Sequence, residues 1–358
     1  MGFDRDGREL IIVAVKATFT IPEPGAEPDL AEEQAPLTEA DEFTGEPGRS
    51  APLYETDYAH RKPCCDVILN GSAYAPAGKI AKRIPVALRV GAMAKQFAVV
   101  GDRLWRRGIT GITPTEPEPF AVLPFSYNDA FGGLEVPGAT SESAIATYMA
   151  NPVGRGYSRS KSGIEGQRLP NTEEINRPVT DSNGSYRPMS FGVLGRNWSP
   201  RVSYVGTYDQ EWLDNRAPFW PDDFDYRYFQ STPPDQQIPY PVGGEDVVLS
   251  NLTPDTEVRF RLPSLAVPVW CLPYRGADEK VEAVIDTLLI EPDAGRFMLT
   301  WRAVVPMLRS CFDLKQMIVG DMSKAWQRAR RSRGKPYYRG LAELVNARRG
   351  GPQTKGNR

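Results

Sequence analysis

Asp222, Asp223 and Asp225 crowd into four residues between Trp220 and Tyr226. A carboxylate pair beside aromatic rings is the equipment of a glycoside hydrolase, in which one carboxyl protonates the leaving oxygen and the other attacks or activates water. The same residues serve a plainer purpose in Pro221-Asp222-Asp223-Phe224, where Asp side chains accept from nearby main-chain N–H groups and close a turn. The turn is the expected use. His60 is the one histidine, so a Ser-His-Asp triad would have to run through it. Its setting, Tyr58-Ala59-His60-Arg61-Lys62-Pro63, is a basic loop with no nucleophile elbow.

Other reactive types are equally short of partners. One His and four Cys offer no zinc spacing. Adjacent Cys64 and Cys65 read as a small buried apolar site, and with Cys271 and Cys311 they suit a reducing compartment. Asn151-Pro152-Val153-Gly154-Arg155-Gly156 has the makings of an anion nest with Arg155 as its cation, yet it matches neither the P-loop nor the dinucleotide pattern. A rigid turn with a structural Arg is expected. Arg328, Arg330, Arg331, Arg333 and Lys335, followed by Tyr337 and Tyr338, form a basic run without a base-reading motif, so nucleic acid is not an expected partner. No catalytic, metal-binding or cofactor-binding residue is assigned. The chain reads as a binding protein, with a glycan-active hydrolase built on Asp222–Asp225 as the alternative.

The elements that hold these residues come from patterning. Gly and Pro, 32 and 33 residues, together make about 18% of the chain against roughly 12% in an average protein, which favours short strands and turns. Residues 85–90 and 94–100 read as a hairpin turning at Gly91-Ala92-Met93, with residues 67–74 ahead of it extending the meander. Residues 246–250 and 257–262 flank a Thr253-Pro254-Asp255 turn, and residues 281–290 and 297–305 flank Pro292-Asp293-Ala294-Gly295. Period-2 alternation in these segments turns one face inward and leaves the other wet. The expected fold is mainly β, an antiparallel two-sheet sandwich or distorted barrel with long loops and a short helical C-terminal tail.

Long loops are expected from about Leu134 to Asn197. Between Gly206 and Asp255 large aromatics alternate irregularly with Asp, Pro and Gly, the composition of ordered recognition loops. Thr207-Tyr208-Asp209-Gln210 fits the start of a short helix ending before Pro218, with Thr207 as its cap. Asp321 is the expected cap of a helix carrying Met322, Ala325, Trp326 and Ala329, and Leu341, Leu344 and Val345 suggest a second. A boundary near residue 310 separates a β-rich domain (1–310) from a basic tail (311–358).

Net charge is −2 but uneven. Pro22 to Asp57 holds eleven Asp/Glu and one basic residue, whereas Lys315 to Arg358 holds twelve Lys/Arg against Asp321 and Glu343. Two such segments attract each other or separate partners. The opening MGFDRDGRELIIVAVKATFTIP reads as a strand, not a signal peptide, and no run nears the ~20 apolar residues that span a bilayer. A cytoplasmic protein with no membrane contact is expected.

An ordered series of short motifs adds a resemblance. It runs through Val15-Lys16-Ala17-Thr18-Phe19, Lys62-Pro63-Cys64-Cys65-Asp66-Val67, Pro124-Phe125-Ser126-Tyr127-Asn128-Asp129-Ala130-Phe131-Gly132-Gly133, Asn151-Pro152-Val153-Gly154-Arg155-Gly156, Gly206-Thr207-Tyr208-Asp209, Pro221-Asp222-Asp223-Phe224-Asp225 and Trp301-Arg302-Ala303. Over roughly residues 10 to 305 the chain resembles a bacterial family of effector adaptors or chaperones, domain-of-unknown-function family 2169. Its members are encoded beside type VI secretion genes for the VgrG spike, PAAR-tipped proteins and toxic effectors. The resemblance implies a cytoplasmic adaptor that helps load an effector onto the spike, with no catalytic residues to carry over. Arg155, Asp209, Trp212, Trp220 and Asp225 are the partner-binding candidates.

Overall fold

The computed structural model describes residues 2–109, 111–135, 146–161, 163–307, 309–331 and 345. Ten strands of five or more residues form most of two principal sheets: β1 (Glu9–Thr20), β2 (Cys65–Leu69), β3 (Arg83–Val90), β4 (Met93–Val100), β5 (Asp246–Ser250), β6 (Glu257–Arg261), β7 (Val267–Pro273), β8 (Glu279–Glu291), β9 (Arg296–Pro306) and β10 (Leu314–Val319). The smaller sheet runs β4-β3-β5-β6, with Thr172–Glu173 added beside β4. The larger runs β1-β9-β8 and then forks, because the 13-residue β8 outlasts either neighbour on its far side. Its first half pairs with β7, which pairs with β10, and its second half pairs with β2, which pairs with Gln237–Ile238. A register shift between Ile285 and Thr287 leaves Asp286 at the fork.

The expected two-sheet, mainly β fold is what forms, and three of its hairpins fall within two residues of their expected ends. Alternation supplies the core. Ile84, Val86, Leu88, Phe97, Val99, Val247, Leu249 and Phe260 of one sheet meet Val67, Leu69, Leu288, Ile290, Phe297, Leu299 and Trp301 of the other in one cluster. Segment 67–74 departs from expectation. Cys65–Leu69 crosses to the larger sheet and lies parallel to β8, and Gly71–Tyr74 pairs with Val122–Phe125, so neither extends the meander. The reason is visible in β2, all five of whose residues are buried: a strand covered on both faces carries no alternation to read.

The acidic segment pairs with the edge of β1 at Asp29–Ala31 and then crosses the outer face of the larger sheet. Ala31 N bonds Thr18 O, Gln34 bonds both main-chain groups of Thr18, and Asp57 bonds Lys16 at 2.7 Å. Glu23, Glu27, Asp29, Glu32, Glu33, Glu39, Glu42 and Glu46 remain exposed. The described part of the middle region is mostly loop, broken by the two-residue strands Arg155–Gly156 and Thr172–Glu173, and its Leu169 and Tyr186 share a small core with Trp105 and Phe131.

β10 pairs with β7 and carries the larger sheet past the boundary expected near residue 310. Beyond it the helix Lys324–Arg331 begins at Ser323, whose hydroxyl accepts from Trp326 N, so Ser323 and not Asp321 is its cap. A side chain three residues before the bonded N–H reaches it, and Asp321 stands five away. The helix expected at Leu341 and Leu344 and the basic run past Arg331 lie outside the described residues. No described helix is long and apolar enough to cross a membrane.

Candidate interaction surface

The loop from Val202 to Phe229 is held at both ends and at its turns. Buried Arg201 donates to Leu194 O, Tyr228 O and Glu55, fixing the entry. At the exit Asp66 of β2 accepts from Gln230 Nε2, from the main-chain N and hydroxyl of Ser231, and from those of Thr232. Burial pushes the Asp66 carboxyl up, but Lys62 at 2.9 Å and the Ser231 and Thr232 bonds outweigh it and hold it below its ordinary value.

Within the loop each sequence candidate has a definite place. Asp209 caps the helix Gln210–Asn215 by accepting from Trp212 N at 2.9 Å. Thr207, the expected cap, is engaged instead with Asp223, which accepts from its N–H and its hydroxyl. The sequence favoured Thr207 because it sees the motif and not a partner sixteen residues away. The helix does end before Pro218. Trp212 is half-buried, stacks edge-on with Tyr208 and donates from Nε1 to Phe219 O. Asp225 caps the turn Tyr226–Phe229 through Arg227 N and pairs with the Arg227 side chain.

Asp222, Asp223 and Asp225 are thus all engaged, with Asp222 held by Arg216 at 3.1 Å. Asp223 and Asp225 both sit below the usual carboxylate range, Asp223 through its bonds from Thr207 and Asp225 chiefly through Arg227. A general acid in glycoside cleavage needs the opposite shift. Arg155 lies away from this loop. It pairs with Asp129 and donates to Asn128 O, in a strand beside Phe131–Gly132. Gly154 there tolerates no side chain, since a Cβ would stand 2.5 Å from Ala130 O.

Trp220 is half-buried and forms the hub of an aromatic nest with Phe224, Tyr226, Phe229 and His60, at centroid distances from 4.3 to 5.9 Å. His60 is buried, and its Nε2 is 2.9 Å from Phe3 O. That contact requires the ring to donate from Nε2, so neutral His60 keeps Nδ1 as an acceptor, and Nδ1 has no partner among the described residues. Burial lowers the pKa of the ring, in keeping with the neutral form. The sequence carried no signal for this role, because some 160 residues separate His60 from the rings it touches.

Beyond the nest a groove of about 640 Å³ crosses the outer face of the larger sheet, bounded by Asp4, His60, Tyr226, Tyr240, Val284 and Val304. At its head Arg302 pairs with Asp286 of the fork and donates to Asp57 O and Ala59 O. On the other side of the nest, Phe3, Tyr208, Leu213 and Phe219 stand exposed. Phe3 and Phe219 meet edge-on at 6.5 Å, over a turn where Gly7, at φ +79°, leaves room for the Phe219 ring. The result is an apolar surface with fixed backbone, next to an open groove.

The chain belongs to the family described as an uncharacterized protein conserved in bacteria (DUF2169), which it matches over residues 6–302. No curated protein and no solved structure matches it.

Proposed function

We propose that this member of the family is a non-enzymatic adaptor that holds a secreted toxin effector in the cytoplasm and helps load it onto the VgrG spike or a PAAR-tipped protein of type VI secretion. The resemblance supplies the biological setting. The observation that carries the molecular part is the exposed set Phe3, Tyr208, Leu213 and Phe219 on a loop whose capping and turn bonds are already made. Apolar side chains held rigidly at the surface form binding hot spots with little ordering cost on association. Trp220 lies in the nest beneath and serves as support, and Asp209 and Asp225 shape the loop rather than meet the partner.

An adaptor must release its cargo, so micromolar to nanomolar binding is expected, about −8 to −12 kcal/mol. The test is co-purification of the tagged protein with its effector from the native cell, repeated with Leu213→Asp and Tyr208→Asp. Each substitution is expected to weaken binding at least tenfold, about 1.4 kcal/mol, and to stop secretion of the one cognate effector. Normal binding by both variants rules out this surface. Wild-type glycan hydrolysis that Asp225→Asn abolishes would instead support the hydrolase.

A further inference from the structure

Among the described residues, strand β6 ends the smaller sheet, with no strand beyond it. Leu262 N bonds Glu245 O, and Asn251 N bonds Thr256 O. Antiparallel alternation then assigns the even residues of β6 to β5, and turns the N–H and C=O groups of Glu257, Arg259 and Arg261 to the open edge. Among the described residues, no hydrogen bond from outside the sheet reaches those main-chain groups. All three side chains are exposed, and a cleft of about 1310 Å³, lined by Arg259, Arg261, Leu30 and Leu265, leaves the edge accessible.

Natural sheets blunt such an edge with repelling charge, often Lys. The charges here do not repel their own copy. Read outward from the turn they are Asp255, Glu257, Arg259 and Arg261, two negative and then two positive. Laid antiparallel on itself about Val258, the strand sets Asp255 against Arg261 and Glu257 against Arg259, twice over. The same register brings together the residues with free N–H and C=O groups, and places Val258 against Val258 at a position that needs no bond. A slip of two residues either way opposes Arg259 to Arg259 or Glu257 to Glu257. Hydrogen-bond phase and charge therefore select one register.

We propose that two copies of this chain pair edge to edge through β6, with the two-fold axis at Val258, so that the two five-stranded sheets become one continuous sheet. Leu30 and Leu265, exposed beside the edge, flank the join. No residue of the Val202–Phe229 loop lines the cleft at this edge.

Sedimentation velocity on the full chain across micromolar concentrations is expected to show a reversible monomer–dimer equilibrium. Glu257→Arg and Arg259→Glu each place like charges across the axis at two symmetric positions, and each is expected to weaken dimerisation about tenfold or more. The combined E257R/R259E chain restores the complementarity and is expected to regain the dimer. It also keeps an ion pair within the strand, and unchanged thermal melts confirm that the fold is intact. Amide exchange at Glu257, Arg259 and Arg261 should slow as concentration rises. A monomer at every concentration overturns the proposal, as does a dimer indifferent to the single variants. Protection of these amides that appears only when effector is added assigns the edge to a cargo strand instead.

Discussion

Lys62 Nζ lies 2.9 Å from Asp66 Oδ2, and the two side chains are 5% and 0% exposed. Asp66 also receives Gln230, Ser231 and Thr232, so one buried ion pair joins β2 to the residues that follow the aromatic turn. The candidate surface is therefore anchored by a charge inside the fold. Its own exposed residues contribute little to holding it there.

Asp66→Asn keeps the shape of the side chain and removes the nearest counter-charge of buried Lys62, leaving only the more distant Asp286 and Glu55. Breaking a buried pair on one side costs about 3–5 kcal/mol, and urea unfolding should record a loss of that order. The pH dependence has a definite sign. The folded carboxyl lies below its ordinary value, so its stabilisation is complete above the unfolded pKa of about 3.9 and is lost as pH falls through the folded pKa. Wild-type stability should decline below about pH 4, and the variant should decline less steeply. Parallel acid limbs would show that another group controls them.

Lys95 gives the opposite limb. Its ammonium is buried, 2.5 Å from Gln236 Oε1 and 3.3 Å from Asp235, with Arg187 on the far side of Asp235. Burial pulls its pKa down to about 8, although Asp235 opposes the shift. The unfolded chain, with Lys near 10.4, then holds more protons between pH 8 and 10, so stability rises with pH across that window. The slope is at most about 1.4 kcal/mol per pH unit. Lys95→Met should flatten it. A wild-type curve that falls from pH 8 to 10 removes the argument.

The sheets were legible because Val86, Leu88 and Val90 alternate with Pro85, Ala87 and Arg89, and local alternation is what a strand with one wet face writes into a sequence. β2 was misplaced for the same reason, since burial on both faces erases the pattern. The Val202–Phe229 loop was legible as a region, through its Trp, Tyr, Asp and Pro content. Its wiring was not. Asp66 with Ser231, His60 with Trp220 and Thr207 with Asp223 are pairings across the fold, and nothing in the residues near either partner marks the other. The charges of β6 were read as the wet face of a hairpin, and their complementarity becomes meaningful only once β6 is known to be an edge.

Asp209→Ala should cost about 1 kcal/mol, the usual value of a lost N-cap, and should alter the fluorescence of Trp212, whose N–H it holds. Gly206→Ala is expected to be worse. Gly206 has φ +83°, and a Cβ there would stand 2.8 Å from Asp223 Oδ1, in the way of the bond that closes the loop. Left-handed strain alone costs about 1–2 kcal/mol for a residue with a side chain. The order of the two variants is the test: a Gly206→Ala protein as stable as wild type would mean that the loop closes without this turn.

Two truncations separate the tail from the sheet. Ending the chain after residue 313 removes β10, which pairs with β7 from Val269 to Pro273. Leu314 and Met317 pack against the cluster of Cys271, Val305 and Met307, so this cut opens apolar surface and frees a new sheet edge. Withdrawing two partly buried apolar side chains costs roughly 2–4 kcal/mol from area alone, and the exposed edge favours aggregation. Ending the chain after residue 320 keeps β10 and removes the helix Lys324–Arg331, whose cap at Ser323 and bond from Gln327 to Met322 O are local. The chain ending at 320 should melt cooperatively and close to full length, whereas the chain ending at 313 should melt lower or precipitate. If both behave alike, either β10 adds nothing to the larger sheet or the helix is part of the same cooperative unit. The direction of the shared change distinguishes the two: full-length stability in both excludes a structural role for β10, and a common loss places the helix in the core.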